Sequence, residues 1–215
     1  MPDAATPGPV GGRVKRATDL ALAVPLAVAT APAMAAIALW VRRDSPGPAL
    51  YRQRRVGYAG EPFTLLKFRT MVLGAETMGA GLAISDGDSR ITRTGRLLRR
   101  LSLDELPQLL NVIRGDMSLV GPRPTVASQV ELYDAHQRRR LLARPGLTGL
   151  AQVSGRNLIP WSERIELDVR YVETWSARRD LAILARTARV VIGRAGTYTG
   201  SRGGFDLSRP GAPDD

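Results

Sequence analysis

Residues 20–41 read LALAVPLAVATAPAMAAIALWV, and Thr30 is the only polar side chain among them. As a helix, these 22 residues at about 1.5 Å each would extend for about 33 Å, enough to cross the hydrocarbon core of a bilayer. The sequence therefore predicts that the chain associates with a membrane.

Three interpretations of this segment compete: a cleaved signal peptide, a spanning helix and a re-entrant hairpin. The small-residue pattern Ala31-Pro32-Ala33 suggests cleavage, but the apolar run continues beyond it to Val41. A spanning helix is expected to have an asymmetric distribution of positive charge, whereas both flanks are basic here. Pro25 and Pro32 each remove a backbone donor, so we favour a re-entrant helix-break-helix over residues 14–43 with the break at Pro32. The flanking basic residues are Arg13, Lys15 and Arg16 before the segment and Arg42 and Arg43 after it.

The composition limits the chemistry and the partners. The 215 residues include no cysteine and one histidine, His136, which argues against disulfides, a thiolate or multi-histidine zinc site and a Ser-His-Asp triad. A net charge of +11 points to an anionic partner: nucleic acid, anionic lipid or a phosphorylated substrate. Residues 1–13 and 193–215 lack periodicity and are predicted to be disordered tails, so residues 44–192 would form the folded domain.

The predicted fold class is α+β: an N-terminal re-entrant membrane helix followed by a small, mainly helical cytoplasmic domain with a short β-hairpin. The hairpin strands are expected within residues 49–57 and 62–71, on either side of a glycine-containing turn. Apolar spacing and turn residues predict the other elements. They are helices over residues 93–101, 106–113, 161–172 and 181–192, a polar helix over 125–143, and a short strand over 150–153.

Two adjacent carboxylates, Asp104 and Glu105, lie in a cationic part of the chain. Six arginines and only these two acids occur between residues 90 and 114. Cations keep carboxylates ionised and also bind phosphate oxygens, so the pair is a candidate nucleophile or metal site. However, Ser102-Leu103-Asp104-Glu105 also fits a capping box with Ser102 as the N-cap. The segment alone leaves both interpretations open and favours the cap.

Five ordered motifs together resemble the bacterial sugar transferase family, the monotopic phosphoglycosyl transferases that act as undecaprenyl-phosphate sugar phosphotransferases. The resemblance extends from about Lys15 to Ile192. The motifs are Lys67-Phe68-Arg69-Thr70-Met71 and the segments 101–112, 115–124, 144–149 and 152–157.

The resemblance implies a reaction and roles for the carboxylates. Asp104 would attack the β-phosphorus of a UDP-sugar, releasing UMP and forming a phosphosugar-aspartate intermediate. Polyprenyl phosphate would then accept the phosphosugar, the first step of exopolysaccharide, capsule or glycoconjugate synthesis. Glu105, together with Asp104, would hold Mg²⁺. The resemblance also favours the re-entrant hairpin, with the catalytic domain on the cytoplasmic face of the inner membrane.

The remaining candidate site residues are mostly cationic. The expected phosphate-binding residues are Lys67, Arg69, Arg99 and Arg123, with Arg100 as an alternative to Arg99. Glu166 and Asp168 are less favoured, because acids on a helix surface seldom reach a site. The second tier, for the sugar nucleotide pocket, is Arg144, Gly146, Thr148, Gln152, Arg156 and Asn157.

A different class of function also fits the charge. A membrane-anchored, non-enzymatic nucleic-acid-binding protein would explain a pI near 11.1. Eleven aromatic residues that do not interleave with the arginine clusters argue against single-strand binding. No nucleic acid partner is therefore expected.

Overall fold

Helix α1, Gly12–Asp44, is the longest element of the protein. The computed structural model describes residues 8–78, 87–155 and 159–192. Pro25 and Pro32 both lie inside α1, so the predicted interruption at Pro32 is not observed. Each proline removes one backbone hydrogen-bond donor, and the remaining backbone hydrogen bonds maintain the helix across both positions. Between the two prolines the Thr30 hydroxyl donates to the Leu26 carbonyl at 2.7 Å, which adds a hydrogen bond in this turn.

The residues that follow α1 form a small, mainly helical domain with two short sheets, which confirms the predicted fold class. The strands are β1 Leu50–Val56, β2 Pro62–Phe68, β3 Ser118–Val120 and β4 Gly146–Thr148. The helices are α2 Arg93–Arg100, α3 Gln108–Arg114, α4 Ala127–Val130, α5 Leu150–Ser154, α6 Trp161–Glu173 and α7 Ala177–Ile192.

Both ends of α1 pack against this domain. Near the start, Lys15, Asp19, Ala23 and Ala27 are buried at four-residue spacing. Near the end, the buried side chains are Ile37 and Val41, and they pack with Phe68 and Leu98. Between residues 28 and 36 no side chain of α1 is buried. The helix is long and apolar enough to cross a membrane, and only 11% of its most apolar 18-residue stretch is buried.

Polar contacts fix the first part of α1 to the domain. Lys15 Nζ lies 2.6 Å from Asp180 Oδ2 of α7. Arg16 donates to the carbonyls of Val112 and Ile113, where α3 ends. Asp19 Oδ1 accepts from the Ser118 hydroxyl at 3.0 Å. These bonds make the N-terminal third of α1 part of the folded domain, although it belongs to the predicted membrane segment.

The hairpin of β1 and β2 confirms the predicted one. The strands pair antiparallel from Leu50 opposite Phe68 to Val56 opposite Pro62. The second sheet consists of β3 and β4, paired in parallel, with Val120 opposite Thr148. The core between the hairpin, α1 and α3 contains Ala23, Ala27, Phe63, Leu65, Leu109, Val112 and Met117.

Three local predictions are wrong. Residues 150–153 form helix α5 and not a strand, and the strand in this region is β4, which pairs with β3. The polar helix over 125–143 is divided into α4 and a 3₁₀ segment, Gln137–Leu142. The predicted N-terminal tail includes ordered residues, since Val10 N donates to Leu142 O at 3.1 Å and α1 begins at Gly12. Residues 1–7 and 193–215 lie outside the described residues.

Candidate active site

A cavity of about 620 Å³ is lined by both carboxylates of the Asp104-Glu105 pair. Side chains from β1, β2, α2, α3 and the α5 to α7 region contribute to its wall, as does Leu26 of α1. One part of the wall is cationic and another is apolar. The apolar part includes Leu26, Leu65, Leu106, Leu109, Leu119, Leu147 and Leu184.

A tight turn between α2 and α3 presents the carboxylates. Ser102 adopts a left-handed conformation (φ 55°), and Leu103–Glu105 form one 3₁₀ turn shortly before α3, which Pro107 directly precedes. The Ser102 side chain makes no capping bond, so the capping-box interpretation is wrong. A positive φ is uncommon for a residue other than glycine, and such residues are enriched at functional sites. The turn leaves Asp104 on the cavity wall.

Three of the four predicted phosphate-binding cations line the same cavity. Lys67 comes from β2, Arg99 from α2 and Arg123 from the loop after β3. Arg123 Nη2 lies 3.0 Å from Glu105 Oε1, and Arg99 Nε donates to the Thr70 hydroxyl at 2.7 Å. Arg100 is exposed and absent from this wall, so the geometry selects Arg99 over it.

The electrostatic environment alters the acidity of Asp104 and Lys67. Burial and then the neighbouring Glu105 charge raise the pKa of Asp104 to about 6, against the attraction of Lys67 and Arg99. Burial and then the Arg99 charge lower the pKa of Lys67 to about 8. Such opposed shifts in one cavity are typical of functional sites. Near neutral pH, Asp104 is mainly ionised and Lys67 mainly protonated.

Some predicted residues lie elsewhere. Arg69 is buried outside this cavity, where its guanidinium donates to the carbonyls of Ser45 and Pro46, both at 2.6 Å. Arg69 therefore fixes the segment after α1 and does not face Asp104. Glu166 is exposed and pairs with His136 at 2.9 Å. Arg144 is absent from the cavity wall as well.

Of the residues predicted for the sugar nucleotide pocket, some line the cavity and others do not. Thr148 and Gln152 line the cavity. Gly146 contributes no side chain, and a Cβ there would collide with the backbone of Gly121, so its role is to let β4 approach β3 closely. Arg156 and Asn157 lie outside the described residues.

The cavity also contains residues that the sequence analysis did not select. They are Arg55, Arg140, Trp161 and Arg164, together with Asp168, which was less favoured. Arg140 and Asp168 form a buried ion pair at 2.5 Å. The sequence signal for Asp168 is its position between Ile165 and Val169, on the apolar stripe of α6. No comparable pattern distinguishes Arg140 from its two arginine neighbours.

The carboxylate pair fits the Mg²⁺ that the resemblance implies. Among the described residues, no group of three or more His, Cys, Asp or Glu side chains converges. Magnesium commonly binds through one or two carboxylates plus substrate phosphates, and Asp104 and Glu105 supply that donor set. Their mutual repulsion, which contributes to the raised pKa of Asp104, would be relieved by a cation.

The chain is similar in sequence to a known protein family and to several of its members. A family model described as bacterial sugar transferase matches residues 10–194. The exopolysaccharide production protein ExoY of Sinorhizobium fredii is 40% identical over 204 residues, covering 88% of this chain and 90% of that protein. The UDP-glucose:undecaprenyl-phosphate glucose-1-phosphate transferase of Caulobacter vibrioides is 48% identical over 181 residues, 80% of this chain and 67% of that protein.

A third relative is longer. The undecaprenyl-phosphate galactose phosphotransferase of Salmonella typhimurium is 43% identical over 201 residues, which are 86% of this chain but 42% of that protein. The family match covers α1, the hairpin and every cavity residue named above. The chain therefore belongs to the bacterial sugar transferase family and is a transferase.

Proposed function

We propose that this protein transfers a phosphosugar from a UDP-sugar to undecaprenyl phosphate or a similar polyprenyl phosphate and releases UMP. The observation that carries the proposal is a carboxylate, Asp104, in a cavity whose other charged groups include Lys67, Arg99 and Arg123. A nucleophile and phosphate-binding cations thus share one wall. The names of the Caulobacter vibrioides and Salmonella typhimurium relatives support the lipid acceptor, and the former also supports the nucleotide donor.

In the first step, a carboxylate oxygen of Asp104 forms a bond to the β-phosphorus of the donor. The bond from that phosphorus to the bridging oxygen breaks, and its electron pair leaves with UMP. Lys67, Arg99 and Arg123 bind the diphosphate oxygens and offset the repulsion between the carboxylate and the substrate. Arg123 forms an ion pair with Glu105 at 3.0 Å, so its guanidinium is oriented toward the Asp104-Glu105 pair before substrate binds.

In the second step, a phosphate oxygen of the polyprenyl phosphate attacks the same phosphorus. The bond to Asp104 breaks, and the carboxylate is regenerated. Dividing the transfer into two displacements makes ping-pong kinetics the expected signature. Asp104 and Glu105 would hold Mg²⁺, which, when bound, neutralises charge on the diphosphate.

The lipid acceptor requires the cavity to face a membrane. Leu26 of α1 lines the cavity that contains Asp104, so the apolar helix and the carboxylate share one space. Both ends of α1 also pack against the same domain. A helix with both ends on one folded domain is better suited to entering from one leaflet than to crossing, and we assign the domain to the cytoplasmic face of the inner membrane.

Turnover by purified protein tests the proposal. The protein in lipid nanodiscs, with Mg²⁺ and undecaprenyl phosphate, is offered a panel of UDP-sugars while UMP release is measured. Asp104→Asn should abolish release, whereas Glu166→Gln, an exposed acid outside the cavity, should retain wild-type turnover. UMP release by Asp104→Asn would refute the role of Asp104, and a wild-type protein inactive with every donor would refute the reaction.

The nucleic-acid alternative receives little support from the same geometry. Cations that bind a nucleic acid backbone form an open face, whereas Lys67 and Arg99 line a cavity beside two carboxylates that would repel phosphodiesters. DNA retention that falls steeply with salt, without UMP release, would favour this alternative.

A further inference from the structure

We propose that Tyr51 is a positioning residue for Lys67: the tyrosine ring holds the lysine ammonium, by a cation–π contact, where the ammonium binds the diphosphate of the donor. The proposal rests on the proposed function, because it assigns a support to one cation of that site. Lys67 lines the cavity, whereas Tyr51 is absent from its wall and acts through Lys67.

The hairpin places the two side chains next to each other. Tyr51 of β1 lies directly opposite Lys67 of β2 in the antiparallel register. Residues in this relation project from the same face of the sheet, with Cβ atoms about 4.5–5.5 Å apart. Lys67 Nζ lies 4.9 Å from the centroid of the Tyr51 ring. This distance is inside the limit of about 6 Å within which an aromatic ring attracts a cation, and both side chains are half-buried, which strengthens the attraction.

The ammonium of Lys67 is held differently from that of Lys15, the other lysine of the chain. Lys15 Nζ lies 2.6 Å from Asp180 Oδ2, so a carboxylate offsets its charge. Lys67 forms no hydrogen bond or ion pair with any residue that the structure describes, and its ammonium lies over the Tyr51 ring. A ring attracts an ammonium through its quadrupole and leaves the positive charge in place. Lys67 therefore keeps its charge and its N–H donors for phosphate oxygens.

The charges around Lys67 would otherwise set the position of its ammonium. The like charges that act on it are those of Arg99, Arg55 and Arg123. Asp104 attracts it. A lysine is a point charge on a flexible stem, so these forces alone would draw the ammonium toward the nucleophile, whose charge it would then offset. The Tyr51 ring, on the neighbouring strand, retains the ammonium beside the hairpin and so leaves it available to the substrate.

Replacement of Tyr51 by rings of nearly equal shape tests the electrostatics of the contact. Tyr51→Phe keeps the negative face of the ring and should retain the wild-type kcat/KM for the UDP-sugar. Pentafluorophenylalanine at the same position reverses the quadrupole, and kcat/KM should fall about 5- to 30-fold relative to Tyr51→Phe, with an unchanged Tm. Tyr58, near the hairpin turn and absent from the cavity wall, receives the same two replacements as the matched control and should show no fall. Equal kcat/KM values for the two Tyr51 variants would overturn the proposal.

The position of the ammonium can also be measured without turnover. Because Lys15 and Lys67 are the only lysines, protein labelled with carbon-13 at the lysine ε-carbon gives one NMR signal for each, assigned with Lys67→Arg. The ring current should shift the Lys67 signal upfield in wild type and in Tyr51→Phe. Tyr51→Leu should abolish this shift and leave the Lys15 signal in place.

The two readouts separate this inference from the proposed function. If wild type releases UMP but the Lys67 signal does not move in Tyr51→Leu, the positioning role is rejected and the reaction stands. If the signal moves but wild type is inactive with every donor, the reaction is rejected, and with it the diphosphate as the ligand of Lys67.

Discussion

Arg140 and Asp168 form an ion pair at 2.5 Å with only 2% of either side chain exposed, and the same Arg140 Nη2 donates to the backbone carbonyl of Arg123 at 2.9 Å. Arg140 also donates to the Tyr133 hydroxyl at 2.7 Å. The buried pair thus holds the base of the Arg123 loop, whose side chain reaches Glu105. A buried ion pair and the Asp104-Glu105 pair are connected through one loop.

We predict that Asp168→Asn lowers both stability and activity. Removing one partner of a buried pair leaves an uncompensated charge, which typically costs about 3–5 kcal/mol in the free energy of unfolding. Urea or thermal unfolding measures this loss. Glu166→Gln, two residues away and exposed, should cost less than about 0.5 kcal/mol. Equal stability of the two variants would contradict the role of the pair.

Asp104→Asn should be inactive yet more stable than wild type at pH 7.5. Burial raises the pKa of Asp104 from its ordinary value of 3.8 to about 6, so the folded state disfavours the ionised form. Its destabilising effect is therefore present above pH 6 and disappears as the pH falls toward 3.8. We expect a Tm about 2–4 °C above wild type at pH 7.5, and no difference near pH 4. A lower Tm at pH 7.5 would mean that attraction to Lys67 and Arg99 outweighs burial.

Activity should have a bell-shaped dependence on pH. In the free enzyme Asp104 loses its charge below about pH 6, and Lys67 loses its charge above about pH 8. The profile of kcat/KM for the UDP-sugar should fall on both sides, and bound Mg²⁺ should shift the acid limb to lower pH. Lys67→Arg should remove the alkaline limb, because a guanidinium stays protonated. If kcat/KM of the Lys67→Arg variant still falls near pH 8, a group other than Lys67 is responsible for the alkaline limb.

Arg123→Met should mainly reduce activity, whereas Arg69→Met should mainly reduce stability. Arg123 is half exposed and faces Glu105, so its loss should lower kcat/KM about 10²- to 10³-fold with little change in Tm. Arg69 is buried against the carbonyls of Ser45 and Pro46, and its loss should lower stability by about 2 kcal/mol. The Arg69 variant, assayed below its Tm, should keep wild-type kcat. A large fall in kcat without a loss of stability would instead indicate that Arg69 acts in the active site.

Membrane topology can be tested because the chain has no cysteine. Arg13→Cys, near the start of α1, and Glu61→Cys, at the hairpin turn, are both exposed positions. An impermeant maleimide should label both from the cytoplasmic side and neither from the opposite side. Labelling of the two positions from opposite faces would establish a spanning helix.

The local pattern predicted several elements because each depends on near neighbours. Two short stretches on either side of a glycine-containing turn predicted the hairpin, and the stripe from Leu106 to Ile113 predicted α3, which is followed by Gly115 with φ 96°. Residues 150–153 fit a strand equally well by sequence. They directly follow β4, and the pairing of β4 with β3 is a long-range contact that no local pattern encodes.

The sequence by itself determined the apolar helix, the family motifs and the carboxylate pair, because composition and spacing carry that information directly. Only the tertiary structure separated Arg69 from Lys67, Arg99 and Arg123, and only it brought Arg140, Asp168 and Gln152 to the same cavity. Contacts between residues far apart in the chain decide which cation faces Asp104 and which supports the backbone. Burial, which sets the acidity of Asp104, likewise arises only when those distant segments pack together.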